Sequence, residues 1–172
     1  MAIEIERKFL VVNDGWRAGT IASKAIRQGY LARGHPASVR IRVTDGVAAM
    51  LTIKSALAGG GRQEFEYPVS LADADALLAL AEGDLIEKRR HIVPDSQGGL
   101  NWEVDVFGGR LSGLVLAEIE LDRIDRPLVL PGWIGREVTE DPRYYNAQLS
   151  RAETVPGEVA SVETTDLAQK KD

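Results

Sequence analysis

Hydrophobic and polar residues alternate along most of this chain. Ile3-Glu4-Ile5-Glu6-Arg7-Lys8-Phe9 sets Ile3, Ile5 and Phe9 on one side of an extended segment and Glu4, Glu6 and Lys8 on the other, because successive strand side chains point to opposite faces. The same period recurs in 39–43, where Arg40 and Arg42 share the polar side, in 51–54 with Thr52 and Lys54, and in 64–67 with Glu64 and Glu66. Further on, Lys88 and Arg90, Glu103 and Asp105, and Glu118 and Glu120 pair at the same i,i+2 spacing. A segment around 26–31, with Gln28 and Tyr30 on a common face, brings the strand set to about eight.

Gly and Asp punctuation at Asp45-Gly46, Gly59-Gly60-Gly61, 95–99 and Gly108-Gly109 separates these strands, and short links between sequential strands predict an antiparallel sheet. Helix is scarcer. Ser70 predicts the N-cap of a helix over 71–81, 14–18 a single turn, and Asp141-Pro142 the start of a short helix reaching Leu149. The apolar pattern fades beyond Glu153, so the expectation is one domain over 1–155 and a partly disordered tail over 156–172.

The 172 residues include no cysteine and two histidines, with 21 Lys+Arg against 26 Asp+Glu. Disulfide scaffolds and thiolate metal sites are excluded, and any metal site must be built mainly from oxygen, which favours Mg2+ or Mn2+. No run approaches the ~20 apolar residues that span a bilayer, and the charged start does not read as a signal peptide. The expected location is the cytoplasm, with no membrane partner. The acidic excess argues against broad nucleic-acid binding.

The charged faces carry the information. Like charges at i,i+2 repel across about 6–7 Å unless opposite charge lies between them. If the sheet closes into a barrel with these faces inward, Lys8, Arg40, Arg42, Lys54, Lys88 and Arg90 confront Glu4, Glu6, Glu64, Glu66, Glu103, Asp105, Glu118 and Glu120. Such an interior cannot be dry. Arginine and lysine suit an anion rich in oxygens, and carboxylates suit divalent cations. A polyphosphate carried as its metal complex asks for both at once.

Glu4-Ile5-Glu6-Arg7-Lys8 resembles the ExExK signature of the CYTH superfamily, the triphosphate tunnel metalloenzymes, and the later charged strands follow the family's order through Arg143-Tyr144-Tyr145-Asn146. The likeness is to the short, single-domain bacterial branch. It implies a mainly β fold with a few helices, an eight-stranded antiparallel β-barrel forming a triphosphate-binding tunnel. The implied activity is divalent-metal-dependent hydrolysis of inorganic tripolyphosphate to pyrophosphate and orthophosphate. An enzyme of the same fold for an organic triphosphate (nucleoside or thiamine triphosphatase, or adenylate cyclase) and a noncatalytic polyphosphate or nucleotide sensor are the alternatives. Carried over by position, Arg40, Arg42, Lys54, Lys88 and Arg90 grip phosphate, with Lys8 among them. Glu4, Glu6, Glu118 and Glu120 hold Mg2+ or Mn2+, two ions per site during catalysis, and Glu64, Glu66, Glu103 and Asp105 complete the acidic wall. Lys8 with Tyr30 positions or activates the attacking water, a role in which lysine needs a depressed pKa or an indirect contribution.

Other residues fit simpler roles. His91 falls on the opposite strand parity from Lys88 and Arg90, and His35 sits in a Gly34-His35-Pro36 turn. Gly59-Gly60-Gly61 lacks the Lys-Ser/Thr continuation of a phosphate-cradling loop. Trp102 and Phe107 read as packing, and Trp16 and Trp133 as packing or as contacts to an organic moiety. The expected assembly is a monomer, or a homodimer if outward residues such as Ile5 or Val104 remain uncovered.

Overall fold

The computed structural model describes residues 5–55, 63–123 and 125–157. Glu4, the Gly59-Gly60-Gly61 connection and almost all of the expected 156–172 tail lie outside them. Nine strands form one antiparallel sheet: β1 (Ile5–Val11), β2 (Ala22–Ala32), β3 (Ala37–Thr44), β4 (Ala48–Ser55), β5 (Glu64–Val69), β6 (Ile86–Pro94), β7 (Asn101–Phe107), β8 (Val115–Leu121) and β9 (Ile134–Glu137). Their order is β5-β4-β3-β2-β6-β7-β8-β1-β9.

This order corrects the expected eight-stranded closed barrel. The sheet is open, with β5 at one edge and β9 at the other. β9, absent from the sequence-based strand set, pairs with β1 through Phe9↔Glu137 and Val11↔Ile134 and occupies its outer edge. β5 ends the opposite side as a short, largely exposed strand containing Pro68, a residue without an N–H that suits an edge. Closure is not needed to bring Glu6 beside Glu118 and Glu120, because β1 and β8 are direct neighbours with Glu6 opposite Glu120 and Lys8 opposite Glu118.

The register collects the charged side chains on one face, and the opposite face is packed in two blocks. Phe9, Trp16, Val93, Trp102, Val104, Ala117, Ile119, Leu121 and Trp133 form one block behind β1 and β6–β8. Helix α1 (Leu71–Leu78) covers the second, placing Ala74 and Leu78 against Ile41, Val43 and Ala49. Ser70 caps α1 by accepting from the Asp73 N–H at 3.0 Å, as predicted, although the helix stops at Leu78 and gives way to a tight turn. A third block, with Ile86, Phe107, Leu111, Leu116, Val138, Tyr144 and Leu149, seals one end of the charged face. Its lid is the C-terminal segment, where Asp141 caps a 3-10 turn (Pro142–Tyr144) before α2 (Asn146–Leu149).

The tryptophans are settled by this packing. Trp16 is buried against the outward-facing His91, with ring centroids 4.8 Å apart, and Trp133 meets Trp102 edge-on. Val104 is fully buried, so it offers no dimer surface.

Candidate active site

At the centre of the charged face, Arg90 of β6 is ringed by carboxylates. Its Nε and Nη2 donate to the two oxygens of Asp105 at 2.7 and 2.6 Å, a bidentate fork; Nη2 also reaches Glu118 at 2.7 Å, and Nη1 bonds Glu103. Lys8 Nζ lies 2.9 Å from the other Glu118 oxygen and 3.8 Å from Glu6. Lys88 pairs with Asp105 and donates to Asn146 Oδ1 at 3.4 Å. Lys8, Lys88, Arg90, Asp105 and Glu118 are all buried. Burying ions costs several kcal/mol each unless they are paired, and the interlocked partners meet that condition.

The pairing shifts the titrations. Burial opposes the charge on Glu118, but Lys8 and Arg90 outweigh it and hold its carboxyl well below the usual range. Lys8 is likewise opposed by burial, then carried above its ordinary value by Glu118 and Glu6. For Lys88, burial wins and pulls the ammonium down to about 8, against the pull of Asp105 and with help from Arg90.

Across β2 to β5 the face is basic and less neutralised. Arg42 Nε donates to Gln28 Oε1 at 3.1 Å, and Arg40 Nη2 donates to Thr52 Oγ1 at 3.1 Å; Thr52 in turn donates to Glu66 at 3.1 Å. Lys54 meets Glu64 at 3.3 Å. Among the described residues neither Arg40 nor Arg42 forms an ion pair, and Arg40 Nε is buried with no hydrogen-bond partner. Burial, then Arg40 and Arg90, lower the Arg42 pKa to about 10. Arg42 keeps its charge at neutral pH and has no counter-ion among the described residues.

The acidic side offers oxygen to a cation. Glu6 and Glu120 are exposed and directly opposed across β1 and β8, where like charges destabilise the pair. The pair offers carboxylate oxygens of the kind that bind Mg2+, which is commonly held through one or two carboxylates together with substrate phosphates. Glu118 is already engaged by Lys8 and Arg90, so its expected place among the ligands competes with two buried ion pairs. No cluster of three or more acidic or imidazole side chains suited to a metal exists among the described residues.

Lys8 and Tyr30 share the charged face but lie on strands separated by β6, β7 and β8. Lys8, held protonated, suits a fixed charge rather than a base. Four other contacts escaped the sequence reading as site features: Gln28 on Arg42, Asn146 on Lys88, the Tyr145 ring 5.9 Å from Lys8 Nζ, and Thr139 Oγ1 accepting from the Lys8 backbone N–H at 3.0 Å. For Gln28 the signal is its shared face with Tyr30; Tyr145 and Asn146 enter the sequence reading only through the family resemblance, with no site role attached. A cavity of about 610 Å³ lined by Glu137 to Pro142 lies at the turn after β9, but it contains none of the charged cluster.

The sequence profile of the CYTH domain matches residues 2–153. The chain belongs to the CYTH family. This CYTH chain is 42% identical over 151 residues to the inorganic triphosphatase of Acetivibrio thermocellus, covering 87% of this chain and 94% of that one. It is 38% identical over 152 residues to the inorganic triphosphatase of Nitrosomonas europaea, covering 86% and 96%. The crystal structure of an inorganic triphosphatase superposes with a TM-score of 0.65 at 35% identity, covering 91% of this CYTH chain and 99% of its counterpart. No helix among the described residues is long and apolar enough to cross a membrane.

Proposed function

We propose that this protein is a divalent-metal-dependent triphosphatase that hydrolyses inorganic tripolyphosphate to pyrophosphate and orthophosphate. The observation that carries this reading is the pair of half-buried arginines, Arg40 and Arg42, with no carboxylate partner among the described residues on a face where Arg90 is saturated with carboxylates. Buried unpaired cations are retained where an anion completes them. The extensive identity to two inorganic triphosphatases supports an inorganic substrate.

Arg40, Arg42 and Lys54 grip phosphate oxygens, with Lys88 and Arg90 beside the transferring group. Water attacks the terminal phosphorus, the anhydride P–O bond breaks, and pyrophosphate departs with the bonding electrons. The fixed cations oppose the charge that builds on those oxygens, and such preorganised electrostatics is usually the largest catalytic contribution. Glu6 and Glu120, with Glu4 outside the described residues, would hold Mg2+ or Mn2+. When bound, the ion supplies Lewis-acid charge neutralisation. Lys8 orients Glu118 on the acidic side, and Tyr30 stands opposite Arg40 on the basic side.

The test is phosphate release from tripolyphosphate, ATP, thiamine triphosphate and pyrophosphate with Mg2+ or Mn2+, with a metal-free control and product identification. The expected result is tripolyphosphate cleavage to pyrophosphate and orthophosphate, lost in Lys8→Ala and Glu6→Ala proteins that remain folded. Turnover of ATP alone would transfer the assignment to an organic triphosphate, and no turnover with any substrate would leave a binding protein.

A further inference from the structure

Gln28 is a fully buried amide on the charged face. It stands opposite Arg42 on β3 and opposite Ile86 on β6, and Ile86 belongs to the apolar block that seals one end of that face. Its Oε1 accepts from Arg42 Nε at 3.1 Å, the one hydrogen bond of the Arg42 side chain among the described residues. On the other side of the amide, Nε2 is buried without a hydrogen-bond partner. An unpaired interior N–H is a cost, and a methionine side chain would fill similar space without it. Packing therefore does not account for glutamine at this position, whereas the accepting oxygen does.

Arg90, Arg40 and Arg42 differ in what holds them. Arg90 is gripped by the carboxylates of Asp105, Glu118 and Glu103, so its charge is neutralised within the protein. Arg40 donates to the Thr52 hydroxyl, which donates in turn to Glu66. Arg42, half-buried, is held through Nε by a neutral acceptor, which leaves its terminal nitrogens and its full charge to the open face. A carboxylate in place of the amide would hold the guanidinium equally well, as Asp105 holds Arg90, but would cancel its charge. Glutamine does the first without the second.

We propose that Gln28 is a positioning residue for oxyanion binding: it fixes the Arg42 guanidinium through a neutral acceptor and so keeps that charge uncompensated for a phosphoryl oxygen. Arg42 touches the anion and Gln28 acts through it. As a contribution to turnover this role rests on the proposed triphosphatase activity; as control of anion binding it rests on the Gln28–Arg42 geometry alone.

The experiment compares the full-length parent with Gln28→Met, Gln28→Glu, Arg42→Met and the double variant Gln28→Met/Arg42→Met, each shown to be folded by circular dichroism and thermal melting. Calorimetric titration with pyrophosphate, without metal, gives Kd, and steady-state hydrolysis of tripolyphosphate with Mg2+ gives KM and kcat. Gln28→Met should raise Kd and KM about tenfold, the size of one lost charge-assisted contact. Gln28→Glu should raise them further, because its carboxylate pairs with Arg42. In the Arg42→Met background, Gln28→Met should change Kd by less than about twofold, since no guanidinium remains to be positioned; a residue that only fills space would cost the same in both backgrounds. If the parent leaves tripolyphosphate intact but the pyrophosphate Kd values follow this pattern, the triphosphatase reading fails and the role of Gln28 stands. If Gln28→Met does not fold, Gln28→Glu decides: pyrophosphate binding as tight as the parent's would overturn the role. So would a parent that binds no pyrophosphate, an unchanged Kd in folded Gln28→Met, or a cost of Gln28→Met that persists undiminished beside Arg42→Met.

Discussion

Lys8 and Lys88 occupy the same face and respond to burial in opposite ways. Burial disfavours the Lys8 ammonium, but Glu118 and Glu6 overcome it, so this lysine stays charged throughout the physiological range. Lys88 is lowered to about 8 because burial and Arg90 outweigh Asp105. The unfolded lysine titrates near ~10.4. Between about 8 and that value the unfolded chain keeps a proton that the folded chain has released, so this group's contribution to stability rises with pH in that window. Phosphate grip runs the other way: the cation is present below about 8 and lost above it. The kcat/KM for tripolyphosphate should therefore fall about tenfold per pH unit on the alkaline side of that value, and Lys88→Arg should move the alkaline limb upward by more than one unit. A pH–rate profile of the two proteins checks this, and an identical limb in both would clear Lys88 of that role. The sequence disclosed which charges share a face, since parity follows from a period of two. It did not disclose partners, because register across strands distant in sequence decides that Lys8 meets Glu118 and that Arg90 forks onto Asp105.

At the scale of elements, β2 shows how closely the outer layer constrains the site. Gly29 sits between Gln28 and Tyr30 and points toward the helical layer; a Cβ there would lie 2.7 Å from Ala81 Cβ and 2.8 Å from Leu85 Cδ2. Leu85 can rotate away, but Ala81 is fixed by the turn that ends α1. Gly29→Ala should destabilise the protein by about 1–3 kcal/mol, the usual cost of overpacking. Urea denaturation measures it, and a change under ~0.5 kcal/mol would mean the layer is looser than its contacts imply. The strands carrying regular alternation were legible in the sequence, as were the Ser70 and Asp141 caps. β9 was not, because Ile134-Gly135-Arg136-Glu137 has no period of two and exists as a strand only through pairing with β1. That one short element also changes the global topology, because it takes the edge of β1 that a closed barrel would need.

For the whole molecule, the open sheet separates charge across its width. Carboxylates gather on β1, β7 and β8 and again on the β5 edge, while the arginines without an ion pair among the described residues lie on β3, with β6 and β2 between them and the larger acidic group. An anion on the arginines and a cation at Glu6 and Glu120 each relieve a local excess of one sign, and on one face they also attract each other. Their binding should therefore be cooperative, with the coupling reciprocal between the two ligands. Pyrophosphate, a product of the proposed reaction, is the probe. At about one hundred times its dissociation constant it stabilises by ~2.7 kcal/mol, or roughly 5–10 °C for a chain of this size. Pyrophosphate alone should raise the melting temperature through Arg40 and Arg42, Mg2+ alone only slightly, and the two together by more than the sum, with EDTA removing the excess. Glu120→Gln should raise the melting temperature of the metal-free protein by relieving a cross-strand repulsion of about 0.2–1 kcal/mol, and should abolish the excess from Mg2+. Strictly additive shifts, or an excess that survives in Glu120→Gln, would place the cation away from the β1/β8 glutamates.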